Sequence, residues 1–165
     1  MRAGMAGLIF VLFSVAASAQ QPAGQAAGRT MVSAADVTAL IAKAKVDRKE
    51  GQALLAQSMI QLAPYNVSLE YRAAVANAAV HDKEAELFYV VDGSATLVTG
   101  GKLKEEKRTN AENWSGSGIE GGVTRHVAKG DFIMVPEGTP HWFAAIDGTV
   151  VLMSLHLPRP PKPAQ

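Results

Sequence analysis

Two histidines and one glutamate are the residues of this chain whose types and spacing could do metal chemistry. His81 and Glu86 are five residues apart, and His141 stands at the end of the run from Gly130 to Pro140. Two imidazoles and one carboxylate with open positions form the facial triad of non-haem iron(II) oxygenases, and the same ligands suit other divalent ions. The sequence therefore predicts one divalent ion, iron, manganese, zinc or nickel, at His81, Glu86 and His141.

Strand geometry would bring these side chains together. Side chains alternate along a strand, so Ala79 and His81 face one way, and Glu86 and Phe88 share a face of the next strand. Facing side chains on adjacent antiparallel strands lie about 5 Å apart, close enough for His81 and Glu86 to share an ion. His141 follows a turn and can enter from another strand.

The residues around His81 follow a fixed spacing. Glu86 comes four residues after His81, and Gly93 comes six residues after Glu86. The stretch resembles the first motif of the cupin superfamily, which runs Gly, five residues, His-x-His, three or four residues, Glu, six residues, Gly. Ala79 stands where that motif has its first histidine, and Ala73 where it has its opening glycine.

A second stretch resembles the second motif of the same superfamily, which runs Gly, five residues, Pro-x-Gly, two residues, His, three residues, Asn. Gly130, Pro136, Gly138 and His141 fit it, whereas Ala145 replaces the asparagine. Together the resemblance covers about residues 55 to 157. It implies an all-β fold, a double-stranded β-helix or jelly-roll barrel.

The resemblance also implies function. A metal-dependent small-molecule enzyme of oxygenase, isomerase or lyase type is expected, and since cupins commonly pair their barrels, so is a homodimer. Ala79 cannot coordinate metal, which implies weaker affinity and one more position for water or substrate. The alternative is a non-catalytic periplasmic ligand-binding or sensor protein, in which the decayed site is a hydrogen-bonded polar cluster.

Other residues are candidates for the walls of a pocket. Arg72 would hold a carboxylate substrate by a bidentate contact. His126 and His156 are placed outside the metal set, because a surface position and a buried hydrogen bond, respectively, explain them. The predicted pocket residues are Tyr71, Arg72, Asn77, Ala79, Phe88, Phe132 and Met134.

The elements that position these residues are mostly short strands. Apolar or alternating runs broken by turn residues predict an antiparallel barrel, and Ser33 with Asp36 resembles a capping box that starts a short helix. Between Gly101 and Gly122 the chain is least strand-like, which favours a lid or binding loop. The predicted segments are a signal peptide (1–19), a flexible leader (20–32), an N-terminal helix (33–50), the barrel (51–157) and a Pro-rich tail (158–165).

The first residues predict export to the periplasm or the cell exterior. Arg2 precedes an apolar run from Gly7 to Ala17, and cleavage is expected after Ala19. Without Arg2 the basic residues fall from 16 to 15 and equal the acidic ones. This balance indicates no nucleic-acid partner and, after cleavage, no membrane partner. The absence of cysteine excludes disulfides and thiol chemistry.

Overall fold

The computed structural model describes residues 29–159 of the chain. The predicted signal peptide lies outside the described residues, as do most of the predicted leader and tail. Within residues 29–159 no helix has the length and apolar character needed to cross a membrane. The elements in chain order are α1 (Ala34–Asp47), β1 (Leu54–Leu62), β2 (Tyr65–Arg72), β3 (Ala78–His81), β4 (Glu84–Thr99), β5 (Lys102–Lys104), β6 (Lys107–Arg108), β7 (Asn113–Gly116), β8 (Gly118–Glu120), β9 (Val123–Ala128), β10 (Phe132–Val135) and β11 (His141–Pro158).

Helix α1 begins at a capping box. The Asp36 backbone N–H donates to the Ser33 hydroxyl at 3.1 Å, and the Ser33 backbone N–H donates to the Asp36 carboxylate at 2.9 Å. These bonds satisfy two backbone donors that the first turn leaves free. One side of the helix, including Leu40 and Ala44, packs on the apolar outer face of the sheet that contains Leu69.

The long strands β4 and β11 pair with each other and bend together. Their antiparallel register shifts between Ile146 and Val150, opposite Gly93. Gly93 has a φ of 80°, and a Cβ atom there would lie 2.0 Å from the carbonyl oxygen of Thr149. Only glycine fits this position, because any side chain would overlap the backbone of the partner strand. Because of the bend, β4 and β11 each contribute one part to the first half of the barrel and another part to the second half.

The first half has the order β1, β2, β11, β4, β10, and the second has the order β9, β4, β11, β3, β7, β6. All of these pairings are antiparallel. Apolar side chains such as Phe88, Leu97, Phe143 and Leu152 fill the interior between the halves. The fold is therefore the predicted all-β jelly-roll barrel preceded by a short helix.

The segment between Gly101 and Gly122 forms four short strands rather than a structureless loop. Strands β5 and β8 pair with each other and cover the outer face of the second half, where Ile119 and Leu103 pack near Trp142. Strands β6 and β7 extend the barrel sheet beyond β3. Trp114 lies on the outer side, where the Arg108 guanidinium stacks 3.9 Å from its ring. The segment thus adds a wall to the barrel.

Candidate metal centre

Four polar side chains converge on the buried carboxylate of Glu86. Its Oε2 atom lies 3.2 Å from Nε2 of His81 and 3.1 Å from Nε2 of His141. Its Oε1 atom accepts a hydrogen bond from the Ser154 hydroxyl at 2.5 Å and lies 3.4 Å from Nε2 of His156. Three imidazoles therefore point the same nitrogen at one carboxylate.

These residues come from three strands. His81 ends β3, Glu86 lies near the start of β4, and His141 and His156 lie near the two ends of β11. In a regular strand, two residues separated by an odd number of positions face opposite sides. The register shifts of the bent β11 cancel that difference, so that both histidines face the interior.

The other ring nitrogen of each histidine is held by an acceptor. Nδ1 of His141 donates to the backbone carbonyl of Thr139 at 3.2 Å, and Nδ1 of His156 donates to the Glu84 carboxylate at 2.9 Å. Nδ1 of His81 donates to the side-chain oxygen of Asn113 at 2.7 Å. Metal-ligating histidines characteristically donate their second N–H in this way, which fixes the tautomer and the ring direction.

The donor set fits a divalent cation. Each ring has an acceptor at Nδ1 and the Glu86 carboxylate beside Nε2, so a cation held between the Nε2 atoms and Glu86 would contact both kinds of ligand. The ligand atoms of His81, Glu86 and His156 also lie within 4.8 Å of one another. Nitrogen and carboxylate ligands of this kind suit first-row divalent metals.

The pKa values of two groups reflect this arrangement. Burial by itself would raise the pKa of the Glu86 carboxyl, but hydrogen bonds from His141 and His81 outweigh it and hold that pKa well below its ordinary value. Burial would lower the pKa of His81, yet its hydrogen bonds to Glu86 and Asn113 raise it overall. Glu86 is therefore ionised at neutral pH, and protons compete with a cation for His81.

The sequence-predicted ligands lie together, while their binding of metal stays a prediction. His156, placed outside the predicted set, belongs to the cluster, and this corrects the sequence interpretation. Its inward direction depends on the register shifts of β11, which no local motif records. One signal for it was available in the sequence. Leu152, Ser154 and His156 occupy alternate positions, so a strand would place them on the same face. His126 lies elsewhere, 63% exposed and beside Asp147.

Ala79 and Phe88 border the cluster. Ala79 lies directly opposite His141 on the neighbouring strand, and the Phe88 ring is 6.0 Å from the His141 ring. Phe88 is fully buried, so it closes the cluster on its inner side. Ala79 is partly exposed and leaves the opposite side more open.

Three other predicted pocket residues have different surroundings. The buried Arg72 guanidinium pairs with Glu70 at 2.7 Å and lies 4.5 Å from the Phe143 ring centre. It thus already has a carboxylate partner inside the protein, which corrects its predicted role in holding a substrate. Tyr71 faces the other side of β2 and packs in the cluster under α1. Asn77 is exposed just before β3 and lines a surface groove.

Phe132 and Met134 do not border the cluster, but both line a separate groove of about 410 Å³. Their side chains are 69% and 52% exposed. They alternate along β10 with Ile133 and Val135, which pack toward the interior core. Since successive strand residues face opposite sides, Phe132 and Met134 must point outward.

Comparison with known proteins shows the family and the fold. Residues 52–161 match the family model described as Cupin. No curated protein matches the chain in sequence. A structure of Fe(II) HppE has a TM-score of 0.50 and 15% identity, over 67% of this chain and 54% of that one. KdgF from Halomonas sp. has a TM-score of 0.49 and 15% identity, over 68% of this chain and 86% of that one.

Proposed function

The chain belongs to the cupin family, and from this we propose that it is a metal-dependent enzyme acting on a small molecule. One observation carries the proposal: three imidazoles aim Nε2 at the Glu86 carboxylate while an acceptor holds each Nδ1. In the metal-bound form, Glu86, His81, His141 and His156 would hold the ion. A bound divalent ion would supply Lewis acidity, or redox chemistry if it is iron or manganese.

Neighbouring side chains would orient the metal-binding residues, and the exposure of these residues would determine the side from which a substrate reaches the ion. The Ser154 hydroxyl fixes the rotation of the Glu86 carboxylate, and Glu84 fixes the ring of His156. The side chains of His81 and His156 are 18% and 22% exposed, compared with 4% for Glu86. A substrate would therefore approach past His81 and His156. Oxygenase, isomerase and lyase activities all fit this arrangement, because the fold does not select a reaction.

A second candidate is a binding or sensor protein without catalysis. It is favoured by the hydrogen bonds at Nδ1 of His81, His141 and His156 and by the Glu86 carboxylate beside each Nε2, because these contacts would hold the cluster together without metal. In that form the barrel would bind an organic ligand and release it unchanged. The two candidates differ in metal content.

We also propose that the protein is exported. Support comes from the sequence alone, namely Arg2, the apolar run from Gly7 to Ala17 and the small residues up to Ala19. The site of action would then be the periplasm or the cell exterior.

Elemental mass spectrometry of the protein, purified without a histidine tag, tests the enzyme proposal. About one ion per chain is expected, since the cluster offers one set of converging ligands. His81→Ala and His141→Ala variants should lose it. An empty site in folded protein produced with ample metal would overturn the proposal. Oxygenated small molecules assayed with and without dioxygen would then separate an oxygenase from an isomerase or lyase.

Asn113→Ala is expected to weaken metal binding by about 10- to 100-fold, the usual cost of losing an outer hydrogen-bond partner. Without the Asn113 oxygen, Nδ1 of His81 loses the acceptor that directs Nε2 toward Glu86. The change is measured by competition with a coloured chelator. Thr124→Ala, at an exposed position of β9, is the control and should bind as the wild type does. Equal affinity for both variants would show that Asn113 does not orient His81.

A further inference from the structure

The face that carries the metal residues continues across two more strands. His141 lies opposite Ala79, Ala79 lies opposite Ser115, and Ser115 lies opposite Lys107. Directly opposite residues on neighbouring strands point to the same side of a sheet. Ser115 on β7 and Lys107 on β6 therefore share the inner face with His141.

A polar groove of about 390 Å³ lies on this extension. Apart from Gly116, all of its lining residues carry a hydroxyl, amide or charged group. One lining residue, Thr109, donates a hydrogen bond from its hydroxyl to the backbone carbonyl of Asn113. The side chain of Asn113 in turn accepts a hydrogen bond from His81, so the groove lies next to a residue that orients the metal centre. The groove residues are Asn77, Glu105, Lys107, Thr109, Ser115, Gly116 and Ser117.

Ala79 lies between the groove and the metal centre, with Ser115 opposite it on one neighbouring strand and His141 on the other. An imidazole at this position, as the family motif has it, would stand between His141 and Ser115. The methyl group of Ala79 fills less of that space than an imidazole would, and His81, two residues further along the same strand, is partly exposed. A molecule lying in the groove can therefore extend toward the proposed ion.

The charges of the groove indicate the kind of molecule. Among residues 29–159, the ion pairs do not include Lys107, so its ammonium is available to an anion. Glu105, with a φ of 49°, places a carboxylate in the same groove, where it would accept hydrogen bonds and repel a second anion. Ser115, Ser117 and Asn77 offer partners for hydroxyl groups.

Strand spacing limits the length of this molecule. Two inter-strand steps separate Lys107 from Ala79, or roughly 10 Å between their Cα atoms. Extended along the groove, the lysine side chain would cover about half of that distance, so a chain of about four to six carbons would reach from its ammonium to the cluster.

We propose that this groove is the substrate subsite of the metal centre and that it takes a hydroxylated carboxylic acid, with the carboxylate held by Lys107. The inference rests on the proposed metal-dependent function. Ser115, Ser117 and Asn77 hydrogen-bond to the hydroxyl groups, and the end of the molecule away from Lys107 passes Ala79 toward His81 and His141.

The test uses the zinc-loaded protein and amide NMR titrations with three probes. Gluconate and threonate carry hydroxyls and a carboxylate, sorbitol has no carboxylate, and hexanoate has no hydroxyls. Gluconate or threonate should shift the amide signals of Ser115 and Lys107 and bind more tightly than the other two. Lys107→Gln should raise their dissociation constants at least about tenfold, as expected for losing a hydrogen bond to a charged group. Lys102→Gln, on the outer side of the sheet, is the matched control.

Elemental analysis of each sample separates the two proposals. If Lys107→Gln keeps its zinc but loses gluconate and threonate, the subsite is supported. If zinc is retained while both lysine variants bind alike, or while neither acid shifts the groove signals, the subsite is overturned and the metal centre stands. A wild-type protein that takes up no zinc overturns both, and this is seen before any probe is added.

Discussion

Replacing Glu86 by glutamine is expected to reduce the metal content from about one ion per chain to almost none, as the neutral amide cannot balance a divalent cation in a buried site. Glu86 is the residue on which all three imidazoles converge, and its side chain is only 4% exposed. The affinity should fall by at least about a hundredfold, the upper end of the cost of losing an outer partner. Elemental mass spectrometry and chelator competition measure both quantities.

Glu120→Gln is the matched control for this change, because Glu120 lies exposed on β8. It should keep the wild-type metal content. Circular dichroism of both variants would show whether the barrel remains folded. A folded Glu86→Gln protein that still holds one ion per chain would contradict the assignment of Glu86 as a ligand.

His156→Ala is expected to lower the metal affinity by at least about a hundredfold, and adding Ala79→His in the same chain should restore most of it. Ala79 lies opposite His141 and shares a face with His81, so a histidine there would point its ring toward the cluster. The double variant would have the ligand set of the first cupin motif. We expect its affinity to return to within about tenfold of the wild type, because three imidazoles and Glu86 again surround the ion.

His126→Ala removes an exposed imidazole and serves as the control. It should bind metal as the wild type does. Full metal content in His156→Ala would exclude His156 from the ligand set. A folded double variant that fails to regain metal would show that position 79 cannot direct an imidazole to the ion.

The fold and three members of the cluster were predictable because they depend on local spacing. Glu86 and Gly93 follow His81 at intervals that a turn between two strands imposes, and Gly93 stands where the backbone of β11 leaves no room for a side chain. Such constraints act over a few residues, so they are visible in the sequence. The capping box of Ser33 and Asp36 is predictable for the same reason.

His156 was not predictable because its direction depends on distant pairing. His156 on β11 lies opposite Glu86 on β4. The register shifts of β11 that lie between His141 and His156 determine which side of the sheet His156 faces. The directions of Phe132 and Met134 also depend on pairing with a distant strand. Their apolar character suggested a pocket wall, and they do line a groove, but the pairing of β10 with β4 turns them away from the cluster.

The extension of the sheet by β6 and β7 affects how the sequence of such a protein can evolve. This one segment supplies Asn113 and most of the groove, including Lys107, whereas the four residues that converge at the cluster lie on β3, β4 and β11. Under the proposed subsite, substitutions in this segment at positions other than Asn113 would alter which molecule is accepted without changing a residue that contacts Glu86. In that arrangement selectivity would be encoded mostly in one stretch of the chain and reactivity in others, and Asn113 would be the residue through which a change in one affects the other.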